Sequence, residues 1–310
     1  MTFHKRFDTI LQMLKAAIIG VGKLGKIHLR IYNEIKDIGK IYLVDTNPSV
    51  LKEYNDYPCF DDYRKLKGKV DLVSISTPTS THFEIAQFFL NNKIPILVEK
   101  PLTQNLKEAQ KLIDLAKKNK TLIFVGHVER YNNAYLAIRK IIKDPLFIEC
   151  HRLSPFPNRS LDISVVLDLM IHDLDIILYL LRDKVKKLDA KGVKVISKTE
   201  DIANARITFS NGCVANITSS RISEKKERKI RIFMKNCYVS LDYANQTVEI
   251  YKKRENQISK EHLPINKEEP LKKEIIGFVD LVENGKFDIE DSIKAKDALA
   301  LACKIEKLCR

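Results

Sequence analysis

Four polar residues recur at helical spacing in an otherwise apolar stretch of this chain. They are Asp168, His172, Asp175 and Tyr179. Their spacing places all four on one face of a helix over residues 164–181. Asp168 lies one turn before His172, where a carboxylate can orient the imidazole and hold its pKa near neutral. The pattern therefore predicts that His172 is a general base and that Asp168 is its partner.

A glycine pattern near the N-terminus is typical of a turn that binds a dinucleotide. Gly20, Gly22 and Gly25 follow a short apolar run and precede a helical pattern. The first glycine permits a tight turn, the second lets the backbone approach a pyrophosphate, and the third permits close packing of helix on strand. Asp45 ends the next apolar run, where a carboxylate binds a ribose hydroxyl and repels a 2′-phosphate. The pattern predicts an NAD site.

Lys100 is a further candidate for chemistry. It follows the apolar run of residues 94–98, which predicts a buried strand, and it precedes Pro101. Open parallel sheets bind ligands at the carboxyl ends of their strands, and a proline restricts the residue before it. A lysine at this place can hydrogen-bond both a substrate oxygen and a cofactor ribose. We expect the neighbouring Glu99 to contact the nicotinamide ribose or to orient Lys100.

Two kinds of scaffold must position these residues. Up to residue 126, runs rich in Ile and Val alternate with helical patterns, which predicts a doubly wound parallel sheet of the Rossmann type. Beyond it, apolar residues alternate with period two and Asn211-Gly212 marks a hairpin, which predicts a mostly antiparallel open sheet. The predicted fold class is α/β, with a Rossmann domain over 1–126, including a helix over 1–14. An α+β domain for substrate binding and oligomerisation follows over 127–310.

Composition excludes several classes of protein. The 310 residues carry a net charge of +14, but the lysines and arginines are scattered, mostly beside acidic residues, as on a solvated surface. The chain has no helix-turn-helix, zinc motif or aromatic platform, so we expect no nucleic-acid partner. It has no apolar run of roughly 18 residues, so we expect no membrane span. The six cysteines form no Cys-x-x-Cys pair, which predicts reduced thiols, no metal site and a cytoplasmic protein.

Four short motifs follow one another between residues 15 and 182. They are the turn from Gly20 to Gly25, Ser76-Thr-Pro-Thr-Ser-Thr-His82, Val98-Glu-Lys-Pro-Leu102 and Asp168-Leu-Met-Ile-His172. Together they resemble the glucose-fructose oxidoreductase/inositol dehydrogenase family (Gfo/Idh/MocA). The resemblance implies nicotinamide-dependent oxidation of a sugar or cyclitol hydroxyl to a ketone, or the reverse. It also implies a cis bond between Lys100 and Pro101, and a homodimer or homotetramer formed through the open sheet.

The resemblance and the residue patterns together define the expected site. Lys100, His172 and Asp168 are the expected catalytic residues, and whether His172 or Lys100 is the formal base stays open. The expected contacts to NAD are Gly20, Gly22, Lys23, Leu24, Gly25, Asp45, Thr46, Thr77, Pro78, His82, Glu99 and Lys100.

Two further segments, over residues 126–133 and 152–160, resemble one branch of the family. That branch oxidises the 3-hydroxyl of UDP-N-acetylglucosamine or a related nucleotide sugar. Guanidinium groups bind phosphate oxygens bidentately, which suits a diphosphate. The expected substrate contacts are Arg130, Tyr131, Asn132, Arg152, Arg159, Asp168 and His172.

Two other functions stay open at this point. An enzyme of the same family could act on inositol or a free hexose, which carries no phosphate. A protein of another class could hold NAD as a sensor without turnover. Loss of NADH production on replacing Lys100 or His172 would distinguish the enzyme from the sensor.

Overall fold

A computed structural model describes residues 13–156, 163–255 and 257–309 of the chain. The helix predicted over residues 1–14 falls almost entirely on residues 1–12, which lie outside the described part. Leu14 itself begins the first strand instead.

The first half of the chain forms a parallel sheet with helices between its strands. In chain order the elements are β1 (Leu14–Ile19), α1 (Lys23–Glu34), β2 (Ile38–Val44), α2 (Pro48–Leu51), β3 (Cys59–Phe60), β4 (Leu72–Ile75), α3 (Thr79–Asn91), β5 (Ile96–Glu99), α4 (Leu106–Asn119) and β6 (Ile123–Gly126). The strand order is β3-β2-β1-β4-β5-β6, and every pairing is parallel. The apolar strand runs are buried because helices cover both faces. This confirms the doubly wound sheet.

The second half forms a mostly antiparallel sheet. Its elements are α5 (Asn133–Ile138), β7 (Phe147–Leu153), α6 (Ile171–Leu181), β8 (Val185–Val193), β9 (Ile202–Phe209), β10 (Val214–Ser220), β11 (Glu227–Met234), β12 (Cys237–Asp242), β13 (Thr247–Arg254), β14 (Gln257–Leu263), α7 (Pro270–Glu283) and α8 (Glu290–Cys309). The strand order is β14-β13-β12-β11-β7-β10-β9-β8, in which β7 and β10 pair in parallel. The hairpin at Asn211-Gly212 joins β9 to β10, and Gly212 supplies the positive φ of +89° that this turn requires. The predicted antiparallel sheet is thus confirmed.

The helix predicted over residues 164–181 begins with a π-helical turn. Val166–Met170 forms this turn, and α6 continues from it. A π turn adds a residue to the usual helical repeat and rotates the side chains before it relative to those after it. Asp168 lies in the π turn and His172 lies in α6, so the simple one-turn relation between them does not hold.

Helix α7 belongs to the second half of the chain but packs on the first half, across the domain boundary predicted at residue 126. Its apolar face, with Ile275, Phe278 and Val279, is buried among Leu97 and other core residues of the first sheet's helix-covered face. The last helices of the chain therefore return to the Rossmann sheet and brace the two sheets against each other. Among the described residues, no helix is long and apolar enough to cross a membrane. The same residues contain no cluster of three or more histidine, cysteine or acidic side chains suited to a metal.

Candidate active site

The glycine turn lies between β1 and α1 and is held by close backbone packing. Gly20 has a φ of +88°, which glycine adopts without strain. A Cβ on Gly25 would collide with the carbonyl oxygen of Gly20, so this helix position also requires glycine. Ser76 at the end of β4 donates its hydroxyl to the Gly20 carbonyl over 2.8 Å. The turn is thereby fixed to the neighbouring strand.

The start of α1 fits the pyrophosphate of a dinucleotide. Gly22 is the N-cap residue and has no capping side chain, and a Cβ built on it meets nothing within 4 Å. The first N–H groups of the helix therefore face open space with the positive end of the helix dipole behind them. Lys23 and Leu24 form the first turn of α1, and Lys23 is exposed beside this space.

Asp45, at the end of β2, lies beside the same turn. Its carboxylate accepts hydrogen bonds from the backbone N–H of Val21 and of Asn47, each over 2.9 Å. A carboxylate has about four lone-pair positions, so this one can still accept a ribose hydroxyl. Thr46 follows it in an exposed position. The residues at this edge of the sheet thus suit the adenosine half of NAD.

Lys100 connects the two halves of the site. The Lys100–Pro101 bond is cis, as the resemblance implied. The Nζ atom donates to the backbone oxygen of Asp168 over 2.6 Å and to its Oδ1 over 3.0 Å. A side chain from the carboxyl end of a Rossmann strand is therefore held by the π turn of the second half. Both side chains are partly shielded from solvent, with 16% of each exposed.

His172 lies next to this pair but is not oriented by Asp168. Asp168 gives its Oδ1 to Lys100, and the Nδ1 atom of His172 is buried without a hydrogen-bond partner in the described part of the chain. Burial lowers the pKa of His172 well below its usual value, and the charges of Lys100 and Arg152 lower it further. The expectation of a near-neutral pKa set by Asp168 is therefore wrong. The imidazole is therefore neutral at physiological pH and is a weaker base than an exposed histidine.

His82 is a positioning residue and does not face a cofactor. Its ring is buried, with Nδ1 3.0 Å from the carbonyl oxygen of Pro101 and Nε2 2.9 Å from that of Thr77. Both ring nitrogens lie beside backbone carbonyl oxygens and the ring donates its one N–H within this turn, which corrects its expected place among the cofactor contacts. His82 fastens the Thr77-Pro78 turn to the segment after Lys100. Thr77 lies against Gly20, and exposed Pro78 is the N-cap residue of α3.

Glu99 ends β5 beside Lys100 and is held from two sides. His28 on α1 lies with its Nε2 3.1 Å from the Glu99 carboxylate. A Cβ on Gly126 would come within 3.0 Å of the same carboxylate. Glycine at the end of β6 therefore makes room for this side chain.

Arg130 and Arg152 form internal ion pairs, contrary to the expectation that they bind a diphosphate. Arg130 donates to both oxygens of Asp175, with its Nε 2.8 Å from Oδ2. Arg152 donates to Asp173 and to Glu129, each over 2.9 Å. Both guanidinium groups are buried, with 7% and 3% of their side chains exposed. Their forks are already occupied by carboxylates, which corrects their assignment to substrate.

The other expected substrate contacts after β6 are also structural. Tyr131 packs its ring 5.9 Å from that of Phe124 under α7. Asn132 is buried and caps α5, because its Oδ1 accepts the N–H of Ala134 over 3.1 Å. Arg159 lies outside the described residues.

The structure adds residues near this site that the motifs did not indicate. His127 is buried with its Nδ1 3.7 Å from Asp175 Oδ2. Arg228 on β11 faces the same side of the sheet as Arg152, its register partner, and its charge also lowers the pKa of His172. Glu274 on α7 is fully buried near Glu99. Only His127 had a local signal, because it follows Gly126 at the carboxyl end of a strand.

Both halves of the chain match one protein family. Residues 14–127 match the NAD-binding Rossmann-fold domain of the oxidoreductase family GFO/IDH/MocA, and residues 142–240 match the C-terminal domain of that family. The chain belongs to the Gfo/Idh/MocA family. It is accordingly an oxidoreductase with an NAD-binding Rossmann domain, as the glycine turn and the start of α1 indicate.

Individual members of the Gfo/Idh/MocA family are similar over most of their length. UDP-N-acetylglucosamine 3-dehydrogenase of Acidithiobacillus ferrooxidans is 33% identical over 302 residues, which cover 94% of this chain and 96% of that enzyme. A solved structure of that dehydrogenase has a TM-score of 0.87 over 95% of this chain and 97% of that chain. Myo-inositol 2-dehydrogenase of Thermotoga maritima is 24% identical over 256 residues, covering 76% of this chain and 77% of that protein.

A more distant structure shares the fold. An oxidoreductase of Agrobacterium radiobacter, solved with NAD+ and L-tartaric acid, has a TM-score of 0.82 at 20% identity, covering 96% of each chain.

Proposed function

We propose that this enzyme oxidises a hydroxyl of a nucleotide sugar to a ketone with NAD, with the 3-hydroxyl of UDP-N-acetylglucosamine as the first choice. The reaction class rests on one observation: the Nζ of Lys100 is held by Asp168 at the sheet edge that carries the NAD turn. The choice of sugar is supported by the 33% identity to a dehydrogenase of UDP-N-acetylglucosamine.

The site residues divide the chemistry between them. Lys100 has three N–H donors, of which two are directed to Asp168, so one is left for a substrate hydroxyl oxygen. The neutral imidazole of His172 lies beside it and can accept a proton. The hydroxyl proton thus passes to His172 while the carbon gives up a hydride, and the Lys100 ammonium, which has no lone pair, stabilises the negative charge that develops on the oxygen. Bound NAD supplies the acceptor for that hydride.

Arg228 is the candidate for the phosphate contact. It lies on the face of β11 that also carries buried Ile230 and Ile232, so its side chain is directed to the inner side of the sheet, near His172. Charge-assisted hydrogen bonds contribute about 1.5–3 kcal/mol, and we expect Arg228→Met to raise KM for a UDP-sugar roughly 10- to 100-fold. Arg231→Met is the matched control, because Arg231 lies on the outer face and pairs with Glu149. Equal KM values for the two variants would remove Arg228 from the site.

The proposal also covers the location of the enzyme and its oligomeric state. We expect the enzyme to work in the cytoplasm, where both NAD and nucleotide sugars are dissolved, and as a homodimer or homotetramer. An open antiparallel sheet needs a partner on its uncovered face, which supports association of identical chains.

The experiment compares substrates at equal concentration. UDP-N-acetylglucosamine, free N-acetylglucosamine and myo-inositol are each incubated with NAD and the enzyme, and NADH absorbance is followed. Mass spectrometry then identifies a product that has lost two hydrogen atoms. Turnover of the UDP-sugar that disappears in Lys100→Met supports the proposal, and no turnover of any UDP-sugar would refute the choice of substrate.

Inositol is the second candidate substrate. The similarity to myo-inositol 2-dehydrogenase favours it. The pairing of Arg130 and Arg152 with internal carboxylates also removes two of the three arginines that supported a diphosphate, the third being Arg159 outside the described residues. Turnover of myo-inositol without turnover of the UDP-sugar would establish this alternative. NAD binding with no turnover of a UDP-sugar or of inositol would favour the other alternative, a sensor that holds NAD without turnover.

A further inference from the structure

Glu274 is a buried carboxyl that the proposed reaction does not use. It lies on α7 with none of its surface exposed, and neither of its carboxylate oxygens has a hydrogen-bond partner among the described residues. An ionised carboxylate without a partner is strongly unfavourable in such a place. Its neighbours on α7, Ile275 and Phe278, are packed into the first half's core, which holds the carboxyl away from bulk water in this conformation.

The charged and titratable groups around Glu274 come from every element packed against it. They are Glu99 at the end of β5, His28 on α1 through Glu99, His127, Arg130 and Tyr131 after β6, Asp175 on α6 and Asp291 on α8. Arg130 is a cation of this group, and its guanidinium is paired with Asp175 and with Asp291. Acidic groups therefore predominate around Glu274.

This surplus of acidic groups favours the protonated form of Glu274. Burial raises the pKa of Glu274 well above its usual value, and the carboxylate of Glu99 raises it further. A carboxyl group that is fully buried and has no hydrogen-bond partner among the described residues is more stable in its neutral form. Glu274 therefore carries a proton when the site holds no cofactor.

The position of the pair relates it to the cofactor. Glu99 directly precedes Lys100 at the carboxyl edge of the Rossmann sheet, and 12% of its side chain is exposed. The oxidised nicotinamide ring carries a positive charge that is lost on reduction. A buried group of carboxyls next to the ring is complementary to the oxidised form and not to the reduced form.

We propose that Glu274 compensates the charge of the oxidised cofactor. It releases its proton to solvent when NAD+ occupies the site beside Glu99, and it takes up one proton again when NADH forms. The bond that breaks and re-forms is the O–H bond of the Glu274 carboxyl. Oxidation of an alcohol yields a ketone, NADH and one proton, so the uptake by Glu274 balances the proton that the substrate loses. The proposal rests on the expected contact of Glu99 with the nicotinamide ribose and does not depend on which sugar is oxidised.

Calorimetric titration of the whole enzyme tests this without any sugar substrate. NAD+ and NADH are each titrated at pH 7.5 in two buffers of different ionisation enthalpy, which gives the number of protons released. We expect release of roughly half a proton or more with NAD+ and close to none with NADH. The isosteric variant Glu274→Gln cannot release a proton. It should show no release and bind NAD+ roughly tenfold more weakly than the wild type, with NADH affinity within about twofold.

The matched control is Glu269→Gln. Glu269 is the exposed N-cap residue of the same helix and pairs with Arg30, so its replacement should leave proton release unchanged. Infrared difference spectra of the wild type provide a second measurement that needs no variant. The band of a protonated carboxyl should disappear on addition of NAD+. NAD+ binding without proton release in the wild type, or equal release in Glu274→Gln, would overturn the proposal.

Discussion

Two groups of charged residues lie around the π turn and α6, and they differ in how completely they are paired. The arginine group consists of Arg130 and Arg152 with the carboxylates of Asp175, Asp173 and Glu129, and its guanidinium forks are filled.

The lysine group consists of Lys100, Asp168 and His172. Here one N–H of Lys100 and the Nδ1 of His172 have no partner in the part of the chain that the structure describes. The two groups use similar residue types and share the stretch of chain that forms the π turn and α6. The difference shows that unfilled hydrogen-bonding capacity, more than charge or residue type, distinguishes groups prepared for a ligand from groups that hold the fold together.

The largest expected effect comes from the lysine group. Lys100→Met removes the donor to the substrate oxygen and the positive charge that stabilises that oxygen in the transition state, so we expect kcat/KM to fall about 10⁴-fold. Thermal unfolding of the variant should change less than that of Arg152→Met, because 16% of the Asp168 side chain is exposed, against 1% of Asp173. Steady-state NADH formation and a melting curve measure the two effects. A variant that melts far below the wild type would place Lys100 with the structural residues.

The arginine group should show the opposite pattern. Arg152→Met leaves Asp173 and Glu129 buried without their cation, which costs about 3–5 kcal/mol of unfolding free energy. Urea denaturation measures the loss. Arg231→Met, which removes an exposed pair with Glu149, is the control and should lose less than about 1 kcal/mol. Similar losses in the two variants would contradict the comparison.

Acid should weaken the fold through His127, which lies between the two groups. Burial lowers its pKa to about 4, whereas an unfolded chain keeps a value of about 6.5. Between these values the unfolded state binds the proton and the folded state does not, so stability falls as the pH falls. Going from about pH 7 to about pH 4.5 should remove about 2–3 kcal/mol through this residue. Urea unfolding of His127→Gln should show a pH dependence smaller by that amount, and an unchanged dependence would show that His127 is not the cause.

The smallest expected effect comes from replacing Asp168, an aspartate of the lysine group, and it is compared with replacing Asp173 of the arginine group. Asp168→Asn keeps the backbone oxygen bond to Lys100 and loses only the charge, so we expect kcat to fall roughly tenfold. The unfolding free energy should also fall only moderately, because 16% of the Asp168 side chain is exposed and an amide can still accept a hydrogen bond from Lys100. Asp173→Asn, made for comparison, should lose more stability because Asp173 is 1% exposed and bonded to Arg152. A larger stability loss in Asp168→Asn than in Asp173→Asn would reverse the assignment of the two groups.

Local signals in the sequence were sufficient for one half of the site. Gly20, Gly25 and Asp45 belong to a strand, a turn and the next strand, whose arrangement follows from the pattern of neighbouring residues. Lys100 was found in the same way, since the carboxyl end of a parallel strand has a known relation to ligands.

The other half depended on contacts between distant segments. Arg130 and Arg152 meet carboxylates that lie 45 and 21 residues further along the chain. Guanidinium groups bind carboxylates and phosphates with the same fork, so residue type alone cannot separate these two partners. Asp168 was assigned to the wrong partner because regular helical spacing does not anticipate a π turn. Glu274 had no signal, because nothing near it in sequence indicates burial beside Glu99.

The sequence by itself determined the alternation of strands and helices, the glycine turn and the lysine at the strand end. These follow from the preferences of short segments and from steric rules at single residues. Only the tertiary structure decided which charged residues are paired. Burial raises the cost of an unpaired charge, so the packing of α6 against β7 and against the segment after β6 selects the partners. The same packing leaves Lys100 and His172 with capacity for a substrate.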